Sequence, residues 1–179
     1  MAFWSTTTLD PKRQFKFKVQ FTRLGTDATF LAQSADRPVY TISDTTKVDF
    51  LDKSYYYPGK ITWNTVKIKF VDANGTNSNV AQRAYTFLGA SGWTNPTDVT
   101  PNESSATSFG TINKAAAVNE ANTVAVSVLD STGTTVDKWQ LKNAFVTTVA
   151  LNNLDYAAEG ILTAEFTFRY DWADYSAGA

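Results

Sequence analysis

Leu162-Thr-Ala-Glu-Phe-Thr-Phe-Arg-Tyr-Asp-Trp172 alternates without a break. Leu162, Ala164, Phe166, Phe168, Tyr170 and Trp172 fall on one face; Thr163, Glu165, Thr167, Arg169 and Asp171 fall on the other. A period of two is the mark of a strand with one apolar and one polar face. The same period opens the chain, where Phe15, Phe17, Val19 and Phe21 alternate with Gln14, Lys16, Lys18, Gln20 and Thr22. It returns between Lys60 and Val71 with a change of phase: Ile61 and Trp63, then Val66, Ile68 and Phe70. The switch near Asn64-Thr65 predicts a bulge or a bend.

Other extended segments fill the spaces between these three. Leu24-Gly25-Thr26-Asp27 reads as a turn, with residues 28–32 returning as a strand. In residues 39–60, Tyr40, Ile42, Val48 and Phe50 suggest extended chain, and Pro58-Gly59 gives a turn signal. Asp130-Ser-Thr-Gly133 joins residues 123–129 to 135–141 as a hairpin. Residues 143–150 continue extended, and Asn152-Asn-Leu-Asp155 turns the chain into the closing strand. One helix is expected over residues 78–89, on the stripe Val80, Ala84, Phe87 and Leu88. Asn77 or Ser78 would cap its start and Gly89 its end. Residues 114–121 read as a short helical turn. Residues 90–112, rich in Ser, Thr and Pro, form a long surface loop, and loops of this length are usually functional or mobile. No internal repeat and no linker interrupts residues 1–179, which read as a single domain with a polar arm at residues 1–13.

The composition favours β-structure and disfavours catalysis. Aromatic residues make up 14% of the 179 residues, and β-branched and aromatic types crowd the periodic segments. The chain has no cysteine and no histidine. Thiolate chemistry, disulfides, Ser–His hydrolysis and His- or Cys-based zinc sites are therefore excluded. Net charge is −1, with acids and bases interspersed and no basic run that would grip a nucleic-acid duplex. The first residues carry no signal-peptide pattern, and no apolar run approaches the ~20 residues of a membrane helix.

Carboxylates such as Asp44, Asp49, Asp52, Asp72, Glu103, Asp130 and Asp171 show no motif spacing, and solvated turns and strand faces account for them. Asp72-Ala-Asn-Gly-Thr-Asn77 starts like a calcium loop but lacks the Glu at its twelfth position, so it reads as a turn. Gly89-Ala-Ser-Gly92 is too sparse for a phosphate loop. No catalytic residue, cofactor site or metal site is assigned, and the chain is not read as an enzyme. The aromatic residues are more informative. Tyr55-Tyr56-Tyr57 puts consecutive rings on opposite faces of an extended chain, so both faces need cover, and a partner subunit is one source of it. Phe50, Tyr55, Tyr56, Tyr57 and Pro58 are the candidate subunit-interface residues. Trp93 in the long loop shares that ambiguity.

The order of these elements resembles the tail tube proteins of contractile-tailed bacteriophages. It runs from Asp10-Pro-x-x-x-Phe-x-Phe-x-Val-x-Phe21, through Ile61-Thr-Trp-Asn-Thr-Val-Lys-Ile-Lys-Phe70, to Lys138-Trp-Gln-Leu-Lys-Asn-Ala-Phe145, Asn153-Leu-Asp155 and Phe-x-Phe-x-Tyr-Asp-Trp172. The long loop at residues 90–112 departs from the more compact members. The resemblance implies a mostly β fold, an antiparallel β-sandwich or barrel with one flanking α-helix, shared with type VI secretion inner-tube proteins. It implies six copies closing a ring, and rings stacking into a tube, with residues 43–60 as the extension reaching the next ring. The partners it implies are other copies of the chain, the tail sheath, baseplate and tail terminator proteins, and the tape measure protein in the lumen. DNA passes through such a tube without sequence-specific binding, and the tube does not insert in a membrane. The implied location is the virion tail, with assembly in the host cytoplasm. Two alternatives stay open: a baseplate protein that initiates the tube, and, from another class, a carbohydrate-binding β-sandwich. A carboxylate-driven glycosidase, which needs two acids facing across a cleft, is a further competing class.

Overall fold

The computed structural model describes residues 10–22, 31–43, 46–75, 79–95, 111–157 and 159–178. Its strands are β1 (Phe17–Phe21), β2 (Ala32–Ala35), β3 (Tyr40–Ile42), β4 (Thr46–Phe50), β5 (Lys53–Tyr57), β6 (Ile61–Trp63), β7 (Val66–Val71), β8 (Val124–Leu129), β9 (Thr135–Lys142), β10 (Phe145–Leu151), β11 (Thr163–Arg169) and β12 (Trp172–Ala177). Two helices, α1 (Val80–Ala90) and α2 (Lys114–Ala121), lie between β7 and β8. The mostly β, antiparallel expectation holds; a second helix stands where a helical turn was expected.

Two four-stranded antiparallel sheets face each other, in the orders β1-β8-β9-β12 and β10-β11-β7-β2. Alternation supplies the core between them. Val19, Phe21, Val124, Val126 and Leu141 come from the first sheet; Val66, Ile68, Phe70, Ala164, Phe166 and Phe168 come from the second. Phe21 bridges the sheets, edge-on to Phe168 at 5.2 Å between centroids and to Phe166 at 6.0 Å. Phe70 meets Phe166 edge-on at 5.6 Å. Edge-to-face packing of this kind adds about 0.5–1.5 kcal/mol per pair beyond area burial.

The closing segment is not one strand. It breaks at Tyr170-Asp171, and its two halves belong to different sheets: β11 pairs with β7 and β10, and β12 pairs with β9. The chain makes the same switch between β9 and β10 at Asn143-Ala144, so two adjacent strands turn the corner together. Asp171 ties the corner. Its carboxylate accepts from Lys114 Nζ at 2.8 Å and from Asn143 Nδ2 at 2.8 Å, while its amide donates to Lys142 O at 3.0 Å. Those donors, Lys114 first, hold the Asp171 carboxyl below its ordinary value. Asn143 adopts φ +53°, a region Asn tolerates better than most residues. The corner explains one departure from the alternating expectation, and the start of β11 carries a second. Trp172, past the bend, is 46% exposed, and Leu162, ahead of β11, is also exposed, whereas Thr163 is buried.

Smaller differences have local causes. Phe15 precedes β1 and is exposed. Residues 23–30, with most of the expected second strand, lie outside the described residues, and β2 begins at Ala32. The strand expected over 60–71 divides at Asn64-Thr65 into β6 and β7, where the sequence changes phase. Asn79 caps α1 by accepting from Gln82 N at 2.8 Å, and Asp72 Oδ1 accepts from Val80 N at 2.8 Å; Asn77 and Ser78 lie outside the described residues. Helix α1 ends at Ala90, one residue past Gly89. Gly92 takes the positive φ beyond it, +105°, where a Cβ would strike Thr111 O. Of the long loop, residues 96–110 lie outside the described residues.

Candidate assembly interface

Residues 40–63 leave the sandwich as a two-stranded arm. Its root continues the β2–β7 pair of the second sheet: Asp36 N donates to Lys67 O at 2.9 Å and Asn64 N to Val39 O at 2.9 Å. There β3 pairs with β6, Tyr40 opposite Trp63 and Ile42 opposite Ile61. The Tyr40 and Trp63 rings meet at 5.5 Å, and Trp63 meets Tyr170 of the body at 6.0 Å. Beyond β3 and β6, Ser43 and Lys60 exchange bonds of 2.8 Å, Ser43 N donating to Lys60 O and Lys60 N to Ser43 Oγ. Farther out, β4 pairs with β5. The chain reverses at Leu51-Asp52, not at Pro58-Gly59, which links β5 to β6.

Opposed residues of an antiparallel pair share a face. The register puts Val48 opposite Tyr55, Phe50 opposite Lys53, and Thr46 opposite Tyr57. Val48, Phe50, Tyr55 and Tyr57 therefore make one apolar face. The other face holds Lys47, Asp49, Ser54 and Tyr56. On it Lys47 pairs with Asp49 at 3.0 Å and Ser54 Oγ donates to Asp49 at 2.6 Å. Ser54, then Lys47, hold the Asp49 carboxyl below its usual range.

Every residue of β4 and β5 is exposed. Phe50 is 66% exposed, and Leu51 at the tip is 88% exposed with φ +55°. A leucine in that left-handed region costs on the order of 1–2 kcal/mol. Exposed apolar patches of this kind mark interaction sites, and an isolated two-stranded ribbon is marginal in water. The structure brings Phe50, Tyr55 and Tyr57 together on one face, puts Tyr56 on the polar face, and leaves Pro58 in the link. It adds Val48, Leu51, Tyr40, Ile42 and Ile61, all exposed. Val48 was within reach of sequence, since alternation pairs it with Phe50. Leu51 carried no signal, because leucine is not a turn residue.

The body has uncovered features of its own. Among the described residues, the outer strands β1, β12, β10 and β2 each present an unpaired backbone edge. Leu154, Tyr156 and Ile161 stand exposed on the β10–β11 connection, and Tyr175 on β12. The Tyr175 hydroxyl donates to Asp137 Oδ1 at 2.7 Å, and Lys12 reaches Asp137 Oδ2 at 2.5 Å, pinning the segment ahead of β1. The Lys12 bond, then the Tyr175 bond, hold the Asp137 carboxyl low. Among the described residues, no group of three His, Cys, Asp or Glu side chains is arranged to hold a metal ion, and no helix is long and apolar enough to cross a membrane. Trp93 packs against Tyr85 at 6.3 Å. Asp130 serves its own hairpin, accepting from the amides of Thr132 and Thr134 at 2.8 Å each.

No protein-family model matches this chain, and no curated protein sequence matches it. Solved structures do. A chain of the anti-feeding prophage tube-terminating cap superposes with a TM-score of 0.65 over 99% of this chain and 99% of its own, at 16% identity. The chain has a tail-tube fold. A chain from the sheath–tube complex of an extracellular contractile injection system in its extended state gives 0.62 over 96% of this chain and 98% of its own, at 16% identity. One from the anti-feeding prophage baseplate gives 0.61 over 96% and 98%, at 10% identity. At these identities the likeness is one of fold, and it extends over nearly the whole length of each chain.

Proposed function

We propose that this chain is a structural tube subunit of a contractile tail, assembling as rings of six that stack into a hollow tube. The observation that carries the reading is the arm. Residues 40–63 form a ribbon that leaves one apolar face uncovered in the monomer, on a fold otherwise found in tube-terminating cap, sheath–tube and baseplate particles. A second copy in the next ring supplies the cover, through Val48, Phe50, Tyr55 and Tyr57, with Pro58 at the edge of the contact. The sheath, baseplate, terminator and a tape measure protein in the lumen are the further partners of such a tube. Passage of DNA is the finer reading. It agrees with a chain of pI ≈ 5.4 that has no basic run, since a conduit for phosphate should not grip it. A baseplate protein that starts the tube is the second reading, supported by the baseplate chain among the structural neighbours.

Electron microscopy of the purified protein tests the proposal. Rings or hollow tubes support it. A chain that stays monodisperse and monomeric at high concentration, and is retained on a glycan column, contradicts it and favours the carbohydrate-binding alternative.

A further inference from the structure

Among the described residues, the sandwich is open along one side. There β1 and β2 are the outermost strands of their respective sheets and do not pair with each other. Between them runs a cleft of about 790 Å³, lined by the segment ahead of β1, by Phe17, by β2 and the two residues after it, and by Val126 and Val128 of β8 at its floor. Its charge is lopsided: Lys12, Arg13, Lys16 and Arg37 line it against a single carboxylate, Asp36. Lys12 is engaged by Asp137 and Arg13 stands 3.9 Å from Asp10. Lys16 donates to a backbone carbonyl, that of Asp130, at 3.2 Å. Phe15, exposed, and Phe17, half-buried, supply an apolar wall. In a chain of net charge −1 this is a local surplus of positive charge around aromatic surface.

The complementary surface lies on the same molecule. The connection between β10 and β11 carries Asp155 and Glu159, and no lysine or arginine occurs between Lys142 and Arg169. Leu154 is 83% exposed, and Tyr156 beside it is fully exposed. Folding gives these two side chains little cover. This acidic, apolar lip hangs from β10, the strand at one margin of its sheet, while the seam opens beyond β2 at the other margin. The surface that fits each is therefore on another copy.

We infer that the lip bearing Leu154, Asp155, Tyr156 and Glu159 of one copy seats in the β1–β2 seam of its neighbour. Tyr156 and Leu154 cover Phe15 and Phe17, and the two carboxylates face Arg13, Lys16 and Arg37. The contact is head to tail, joining opposite margins of consecutive copies, and a contact of that kind closes into a ring when its rotation allows. It covers the exposed edges of β1 and β2, which a β-rich monomer would otherwise leave open. The inference rests on the ring-forming reading above and assigns the lateral contact within the ring, separate from the arm.

Charge reversal tests it. Asp155→Lys with Glu159→Lys, and separately Arg13→Glu with Arg37→Glu, should each weaken ring association at least about tenfold, because like charges then meet across the contact. The chain carrying all four changes should return to within about threefold of the natural chain. The absence of cysteine provides a second readout. Gln14→Cys combined with Ala157→Cys, oxidised after assembly, should give a ladder of covalent multimers on a non-reducing gel, with neither single variant going past a dimer. Circular dichroism of each reversal variant separates misfolding from loss of contact, and the cysteine pair decides if one misfolds. Rings that form from the natural chain, yet give neither rescue nor ladder, overturn this contact while leaving the tube reading intact. A natural chain that forms no ring at any concentration overturns the tube reading itself, and this inference with it.

Discussion

The sandwich and the arm are built from the same kind of sequence and end in opposite conditions. In β11, Ala164, Phe166 and Phe168 alternate with polar residues and are buried. In β4 and β5, Val48, Phe50, Tyr55 and Tyr57 alternate with polar residues just as regularly and are exposed. Alternation sets which side of a strand is apolar. What covers that side depends on whether a second sheet is within reach, and among the described residues none reaches the arm.

Substitutions at matched positions separate the two regions. Phe166→Ala removes a ring that touches Phe21 and Phe70, so chemical denaturation should show a loss of about 3–5 kcal/mol. Phe50→Asp on the arm should change monomer stability by no more than about 0.5 kcal/mol, because the ring is mostly exposed and has little cover to lose. It should nevertheless abolish tube formation seen by electron microscopy. If Phe50→Asp destabilised the monomer as much as Phe166→Ala, the arm would have to be packed within its own chain.

At the corner where both strands change sheets, the effect is intermediate. Asp171→Asn weakens the bonds from Lys114 and Asn143, and with the carboxylate partly exposed the expected loss is about 1 kcal/mol. The sign of its pH dependence follows from the lowered folded value. The Asp171 contribution is present above the unfolded carboxylate pKa of about 3.9 and is lost as pH falls through the lowered folded pKa. Thermal melts between pH 6 and pH 2 should therefore show a shallower acid limb in Asp171→Asn than in the natural chain. The smallest effect belongs to Tyr170. Its buried hydroxyl has no hydrogen-bond partner among the described residues, and burial pushes its pKa up to about 12. Tyr170→Phe should be neutral, or stabilising by up to about 1 kcal/mol, in a denaturation curve.

The sandwich was largely legible in the sequence. The strands carrying Phe21, Phe70 and Phe166 follow the rule of two, and the phase change at Asn64-Thr65, read as a bulge or a bend, falls where β6 ends and β7 begins. The corner at Asp171 was not legible. A bend that preserves alternation leaves no mark in the pattern, and the bonds from Lys114 and Asn143 that fix it come from residues 57 and 28 positions away. The direction of the arm was hidden for another reason: the turn signal at Pro58-Gly59 is stronger than anything at Leu51-Asp52, where the chain in fact reverses. Consecutive tyrosines indicated that both sides of the segment needed cover. Only the register showed that Tyr55 and Tyr57 share the apolar side and Tyr56 does not.

Hydrogen exchange across residues 46–57, compared between dilute monomer and assembled particles, tests most directly whether the arm awaits a second copy. Amides of β4 and β5 should exchange rapidly in the monomer, while those of β7 and β11 are already protected. In assembled particles the arm should become protected to a similar degree. Full protection of residues 46–57 in the monomer, or rapid exchange that persists after assembly, would contradict the account.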